Sequence, residues 1–360
     1  MLSILKAYTK IKWMSLVSAI VMSGVLPLTA EAIPFNSISQ VYFFGDSLTD
    51  SGFNDLLAVL LPPGKAPTFT TYGGYTWAQY IAHDIKGFPL PTNYPAPPNS
   101  DLITNNTTPT QPPGAPAVDP VLTGVDYACG GSTTNSTGFG IPYAPSLVQQ
   151  INNYLSTGPA VDPKALYFIW SGSNDILTVL SIPNVTQLQL LQSADAATSV
   201  IANQVAQLSG KGAKRFVVLS ITNLAYTPFA LQLGALNPEI PGMIKTLNFA
   251  FDSMLNQKLG AIIKKTKAKV LYIDTYTLLG QLIGDANAGR PFVANGKRFY
   301  FTNTTAEACE PGYAGPLPVT SLFCPNNGIT SYVFADSVHP TDRAHQAIAA
   351  AVEERILKWA

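Results

Sequence analysis

The sequence predicts an α/β protein with a five-stranded parallel sheet covered by helices on both faces. Two observations lead there. Short, continuous apolar runs such as Val41-Tyr42-Phe43-Phe44 and Leu166-Tyr167-Phe168-Ile169-Trp170 read as strands buried on both sides. Between such runs lie stretches of ten or more residues with helical spacing, long enough for the crossovers that parallel strands require. No repeat is visible and no linker divides the chain, so residues 33–360 read as a single domain.

The first 32 residues stand apart. Lys6, Lys10 and Lys12 precede an apolar run over 13–28, no acid occurs before Glu31, and Ala30-Glu31-Ala32 has the small-x-small pattern of a signal peptidase site. This predicts a secretory signal peptide cleaved after Ala32. An uncleaved anchor fits less well, because the run is short and broken by Ser, Gly and Pro. No later stretch reaches the ~18 apolar residues of a membrane helix. Removing three of 21 basic and one of 21 acidic residues leaves a mature net charge of about −2 with no basic run. That balance argues against nucleic acid as a partner.

The first strand, 41–44, stops at Gly45 and leaves Ser47 at its carboxyl end, before a helix expected over 50–60. A Pro and Gly stretch (61–74) follows, then a short amphipathic helix over 75–82. Residues 87–124 are rich in Pro, Asn and Thr without an apolar period, and so predict a long loop. It carries a glycosylation sequon at Asn106-Thr107-Thr108. A second strand (125–128) runs into Cys129-Gly130-Gly131, and a helix is expected over 146–155. The third strand, 166–170, ends in Ser171-Gly172-Ser173-Asn174-Asp175. A helix (187–208), a fourth strand (215–220), a long helix (241–265) and a fifth strand (268–273) complete the alternation. Residues 280–330 read as irregular. The chain closes with Asp336-Ser337-Val338-His339-Pro340 and a helix over 341–359, where Ile348, Val352 and Ile356 mark the buried face.

Three cysteines occur. Cys309 and Cys324 are close together in a Gly, Pro and Asn-rich stretch, and export would place them in an oxidising compartment, so a disulfide between them is expected. Such a loop would end near the site and could cover it. Cys129, in an apolar strand end, reads as a buried free thiol. No cluster has metal-ligand spacing, and no metal or cofactor is expected.

A serine after a strand end faces the crevice where open α/β sheets bind ligands. It becomes a nucleophile only with an imidazole in reach, usually oriented by a carboxylate. Of His83, His339 and His345, only His339 has an acid suitably placed, Asp336 three residues earlier. His345 falls inside the last helix, and His83 beside Asp84 ranks second. An oxyanion needs preorganised donors. Gly131, after the second strand, and Asn174, after the third, lie on the same sheet edge as Ser47. The aromatic residues Tyr72, Tyr75, Trp77, Phe139 and Tyr143 are candidates either for an acyl pocket or for ordinary packing.

Gly45-Asp46-Ser47-Leu48, Gly131, Gly172-Ser173-Asn174-Asp175 and Asp336-Ser337-Val338-His339 together resemble, in order, the four blocks of the GDSL or SGNH hydrolase family. The resemblance covers nearly the whole mature chain. It implies a three-layer, flavodoxin-like sheet, with Ser47 as nucleophile, His339 as base and Asp336 orienting it. It also implies an oxyanion hole from the backbone of Ser47 and Gly131 and the side chain of Asn174. The extended first block and residues 127–134 resemble bacterial secreted members, among them lysophospholipases A and glycerophospholipid:cholesterol acyltransferases. Their second block commonly reads Asn-x-Ala-x-Gly-Gly; Asp126 stands here in place of that Asn. The expectation is a secreted ester hydrolase of lipids, lysophospholipids first. Acyl transfer to a sterol or deacetylation of a carbohydrate are the enzymatic alternatives. A binding protein on an inactive scaffold is the non-enzymatic one, and the intact set of four side chains argues against it.

Overall fold

A computed structural model of the chain describes residues 34–51, 69–71, 74–88, 125–140, 142, 144–309 and 331–359. The expected signal peptide, most of the helix expected over 50–60, nearly all of the loop 87–124 with its sequon, Tyr72, Tyr143 and Cys324 lie outside the described residues.

Val41–Gly45 (β1), Leu166–Trp170 (β2), Arg215–Leu219 (β3) and Lys269–Ile273 (β4) form one parallel sheet in the order β1-β2-β3-β4. Val41 lies beside Leu166, Leu166 beside Arg215 and Arg215 beside Lys269, so the strands start level and end level. Every residue of β1 and β2 is buried. Successive strand residues point to opposite faces, so these strands are covered on both sides. Helices Trp77–Lys86 (α1) and Asp342–Lys358 (α8) pack on each other, and Leu147–Thr157 (α2) and Ile240–Thr266 (α6) both pack on Gln187–Gly210 (α4). Thr76 with Gln79, Ser146 with Gln149 and Thr186 with Gln189 make reciprocal capping boxes that start α1, α2 and α4.

The expected second strand, 125–128, is reduced to a single parallel bridge of Asp126 with Phe43, on the free edge of β1. The Phe43 N–H donates to Val125 O at 3.0 Å and the Tyr127 N–H to Phe43 O at 2.9 Å. The Cys129 N–H donates to Gly45 O at 3.2 Å, so the segment follows β1 to its end, while Asp126 Oδ1 accepts the Ala128 N–H at 3.0 Å. The spatial order is therefore segment 125–127, β1, β2, β3, β4. The chain steps from β1 outward to one edge, then returns to the other side of β1. This reversal is the topological switch point, and it opens a crevice beyond the carboxyl ends of β1 and β2.

The region expected to be irregular from 280 onward is structured in its first part. Helix Thr275–Asn287 (α7) starts at Asp274, whose Oδ1 accepts the Thr277 N–H at 2.7 Å. Its buried stripe, Leu278, Leu279, Leu282 and Ile283, is interrupted in sequence by Gly280 and Gly284 but continuous on the helix. Phe292–Ala294 (β5) and Lys297–Phe299 (β6) form a hairpin about Asn295-Gly296, both at positive φ (47° and 72°), as a two-residue hairpin loop demands. Asn303–Glu307 (β7) pairs in parallel with Tyr332–Phe334 (β8). Two helices, Ser173–Leu180 (α3) and Pro228–Leu236 (α5), were not expected.

One cluster of buried apolar residues runs from Ile38 to Ile356. Phe43 stacks on Phe168 with centroids 4.8 Å apart, and Trp77 meets Phe43, Phe168 and Trp170 edge-on. Trp77 is fully buried there, so it serves the core and not an acyl pocket. Each such ring contributes about 1.5–3 kcal/mol by burial.

Candidate active site

The site begins where β1 stops. A Cβ on Gly45 would lie 2.2 Å from the Trp170 carbonyl oxygen, so only glycine lets β1 run this close to the end of β2. The chain then turns: the N–H groups of Thr49 and Asp50 both donate to Asp46 O at 3.0 Å, and Asp46 Oδ1 accepts the Leu48 N–H at 3.1 Å. Ser47 stands on this turn, 8% exposed, at the floor of the crevice.

From the far end of the chain, the loop between β8 and α8 brings in Asp336 and His339. Asp336 Oδ1 accepts the backbone N–H groups of Val338 (2.8 Å) and His339 (2.6 Å), so the carboxylate fixes its own loop. Oδ2 lies 2.7 Å from His339 Nδ1, and His339 Nε2 lies 2.8 Å from Ser47 Oγ. A carboxylate only accepts, so Nδ1 carries the proton. The neutral ring then presents Nε2 as an acceptor to the serine hydroxyl. Phe69 packs on the imidazole with centroids 5.0 Å apart and shields the pair on one side.

The two other expected donors line the same crevice. Gly131 sits at φ 79°, a conformation that glycine adopts without strain. Asn174, in the first turn of α3, donates through Nδ2 to Ser132 O at 2.9 Å. An amide nitrogen has two N–H bonds, so this one sets its plane and the second remains for an acceptor in the crevice.

Further side chains hold these loops in register. Asp50 Oδ2 accepts the Gly130 N–H at 2.7 Å, and Asp126 Oδ2 accepts the Ser51 N–H at 3.1 Å. Asp126 thus holds its turn by accepting two backbone bonds. Asp175 clasps Thr134 twice, Oδ2 on the backbone N–H (2.9 Å) and Oδ1 on the hydroxyl (2.6 Å). Gln150, fully buried on α2, accepts the Gly45 N–H at 2.9 Å and donates to Gly45 O, Ser132 Oγ and Pro145 O within 3.0 Å. It ties the end of β1 to the Gly131 loop. A lone glutamine in an amphipathic helix gives no sequence signal of such a role. Asp50, Asp126 and Asp175 fall within the stretches that resemble the family's blocks, but nothing in the sequence assigns them these bonds.

Burial pushes the Asp46 carboxyl up to about 7, against the pull of the Leu48 N–H and of His339. His345 is buried too, and burial pushes it down to about 3. Its Nδ1 accepts the Trp77 N–H at 3.2 Å and its Nε2 faces Phe69 O at 3.4 Å, so it braces α1 and the Phe69 segment. His83 is largely exposed and lies against Phe88 O. The crevice holds about 600 Å³ of space, open solvent at its mouth included. Besides the polar residues, its walls are Leu48, Phe69, Phe139, Leu177, Leu224 and Val338. Of the aromatic candidates, Phe139 lines it, while Tyr75 packs edge-on against Tyr80.

Cys129 is free and buried. Cys309 is buried at the end of β7; its N–H donates to Ala335 O at 2.9 Å, one residue before Asp336. The base of the expected loop therefore adjoins the acid, while the pairing with Cys324 lies outside the described residues. Among the described residues no helix is long and apolar enough to cross a membrane.

Residues 41–352 match the family model described as GDSL-like lipase/acylhydrolase. Similar curated proteins come from Arabidopsis thaliana. One GDSL esterase/lipase is 27% identical, with 86% of this chain and 77% of the relative covered. A second is 26% identical, with 89% and 88% covered. The anther-specific proline-rich protein APG is 27% identical over 87% of this chain and 60% of its own length. With a hydrogen-bonded Ser, His and Asp at the sheet's switch point and a family match across nearly all of its length, this chain belongs to the GDSL-like lipase/acylhydrolase family.

Proposed function

We propose that this carboxylic ester hydrolase is an exported enzyme that cleaves acyl esters of lipids, lysophospholipids first, through an acyl-enzyme on Ser47. The observation that supports the reading is the relay from Asp336 Oδ2 through His339 to Ser47 Oγ, at 2.7 and 2.8 Å, opening onto a mostly apolar crevice. In the proposed reaction Ser47 Oγ attacks the acyl carbonyl carbon while His339 Nε2 takes its proton. Asp336 keeps the imidazole in the right tautomer and stabilises the imidazolium. The oxyanion accepts from the backbone N–H groups of Ser47 and Gly131 and from Asn174 Nδ2. His339 then protonates the leaving alcohol oxygen as the ester C–O bond breaks. Water, deprotonated by the same imidazole, attacks the acyl-enzyme, and the fatty acid leaves as Ser47 recovers its proton.

Ser47→Ala removes the nucleophile without touching the turn that carries it. The purified variant should lose on the order of 10⁶ in turnover on lysophosphatidylcholine and on a soluble chromogenic ester, with its thermal unfolding unchanged. A variant that retained a tenth of the wild-type rate would overturn the assignment of the nucleophile. Faster cleavage of an acetylated sugar than of any mono- or diacyl phospholipid would overturn the lipid reading alone.

A further inference from the structure

Helix α5 turns an apolar side outward. Of its nine residues only Gln232 is polar, yet only Pro228 and Ala230 are buried. Its solvent-facing stripe is Leu231, Gln232, Ala235 and Leu236, neighbours on one side of the helix. A surface helix ordinarily turns its apolar stripe to the core. Here Leu236 is 84% exposed and Leu231 42%, and Tyr226, in the turn before the helix, is 40% exposed. The helix begins against the catalytic loop: the Phe229 N–H donates to Ser337 O at 2.9 Å, and Leu224, two residues before Tyr226, lines the crevice. Between Arg215 and Lys245 the only charged residue is Glu239.

We infer that Tyr226 and the outer stripe of α5 form a surface that seats the enzyme on a zwitterionic lipid layer; the inference rests on the reading of the substrate as a lipid ester. A contiguous apolar surface marks contact with a protein, a ligand or a membrane. A nine-residue helix is about 14 Å long and about 10 Å wide. Its outer face thus offers about 140 Å², whereas a stable protein contact takes about 800 Å² from each side. A second protein finds too little here. A lipid layer needs no matching shape, and its hold grows with the apolar area immersed. Tyrosine, with an apolar ring and a polar tip, suits the headgroup level. No Lys or Arg occurs across 216–244 to draw an anionic headgroup, so the layer it fits is one of phosphatidylcholine type. The position suits a lipid as well. The scissile ester of a phospholipid lies just beneath the headgroups, and immersing α5 brings the loop of Asp336 and His339 close to that level.

Vesicle binding and paired assays test this. Sedimentation with phosphatidylcholine vesicles uses the Ser47→Ala protein, which leaves the lipid intact. Adding Leu231→Gln and Leu236→Glu should lower its partition at least about tenfold, because two alkyl side chains leave the lipid. In the otherwise wild-type chain the same pair should leave the rate on soluble p-nitrophenyl acetate unchanged. It should lower the rate on lysophosphatidylcholine carried in phosphatidylcholine vesicles by about the same factor as the partition. Leu236→Trp keeps the surface apolar and gives a direct readout: phosphatidylcholine brominated on its acyl chains should quench it beyond the native tryptophans. Equal partition with and without the pair, or equal losses on soluble and vesicle-borne esters, overturns the surface. Dimers that the pair abolishes, with no vesicle binding, assign the face to a second copy and overturn it too. Cleavage of lipid esters by a chain that binds no vesicles overturns the surface alone. Vesicle binding that the pair abolishes, without cleavage of any lipid ester, supports the surface and overturns the substrate reading alone.

Discussion

Asp175→Ala should cut kcat about a hundredfold while KM moves far less. The carboxylate stands next to Asn174 and spans to Thr134, on the loop that also carries Gly131 and Ser132. Hydrogen bonds to charged groups are worth about 1.5–3 kcal/mol each. Burial of Asp175 opposes part of this, raising its pKa, while the two Thr134 bonds lower it. A net of about 3 kcal/mol therefore holds the loop to α3. Released, that energy corresponds to about 10²-fold at 1.36 kcal/mol per decade. The loss of one oxyanion donor costs a comparable ~10²–10³-fold. Because the donors act on charge that develops only in the transition state, the loss belongs in kcat. The assay is steady-state hydrolysis of a soluble ester by Asp175→Ala and Asp175→Asn, each with a melting curve. Asn keeps an acceptor for the Thr134 backbone N–H and should recover most of the rate. A folded Asp175→Ala with kcat within twofold of wild type would refute the reasoning, and so would equal losses in both variants.

His339→Ala should be as damaging as Ser47→Ala, whereas His83→Ala should keep most of the activity; parallel rate measurements decide. His345 bears on acid stability. Its folded value, near 3, lies below the ordinary 6.5, so its contribution is complete above pH 6.5 and is lost as pH falls toward 3. At 1.36 kcal/mol per unit, about 3 kcal/mol disappears between pH 6.5 and 4. Urea midpoints of wild type and His345→Gln should therefore converge on acidification, and parallel pH curves would contradict this. Cys309 and Cys324 should appear as one cross-linked peptide in non-reducing mapping, and cleavage between them should raise the rate on lysophospholipid if the loop covers the site. Free thiols at both positions would remove the first claim, and an unchanged rate after full cleavage the second.

The sheet was legible because a strand buried on both faces must be apolar throughout, and β1 and β2 are. The site was legible because Ser47, Asn174 and His339 each follow a strand end closely, so short motifs survive intact in sequence. What holds the site was not legible. Gln150 reaches Gly45 across 105 positions, and no local pattern encodes a bond of that span. Helix α5 was missed because it buries little, with only Pro228 and Ala230 fully inside, so no apolar stripe announces it. The Asn295-Gly296 turn carried a usable hairpin signal, but each strand beside it is only three residues long.

Ser47 and His339 are 292 positions apart. That separation gives the chain a clock. Ribosomes add about 5–20 residues per second, so the nucleophile and the Gly131 and Asn174 loops exist for many seconds before the imidazole is made. A chain that stops within β8 carries Ser47 and the Gly131 and Asn174 loops but lacks the imidazole of His339. The hydrogen-bonded relay is therefore complete only when the segment after β8 is in place.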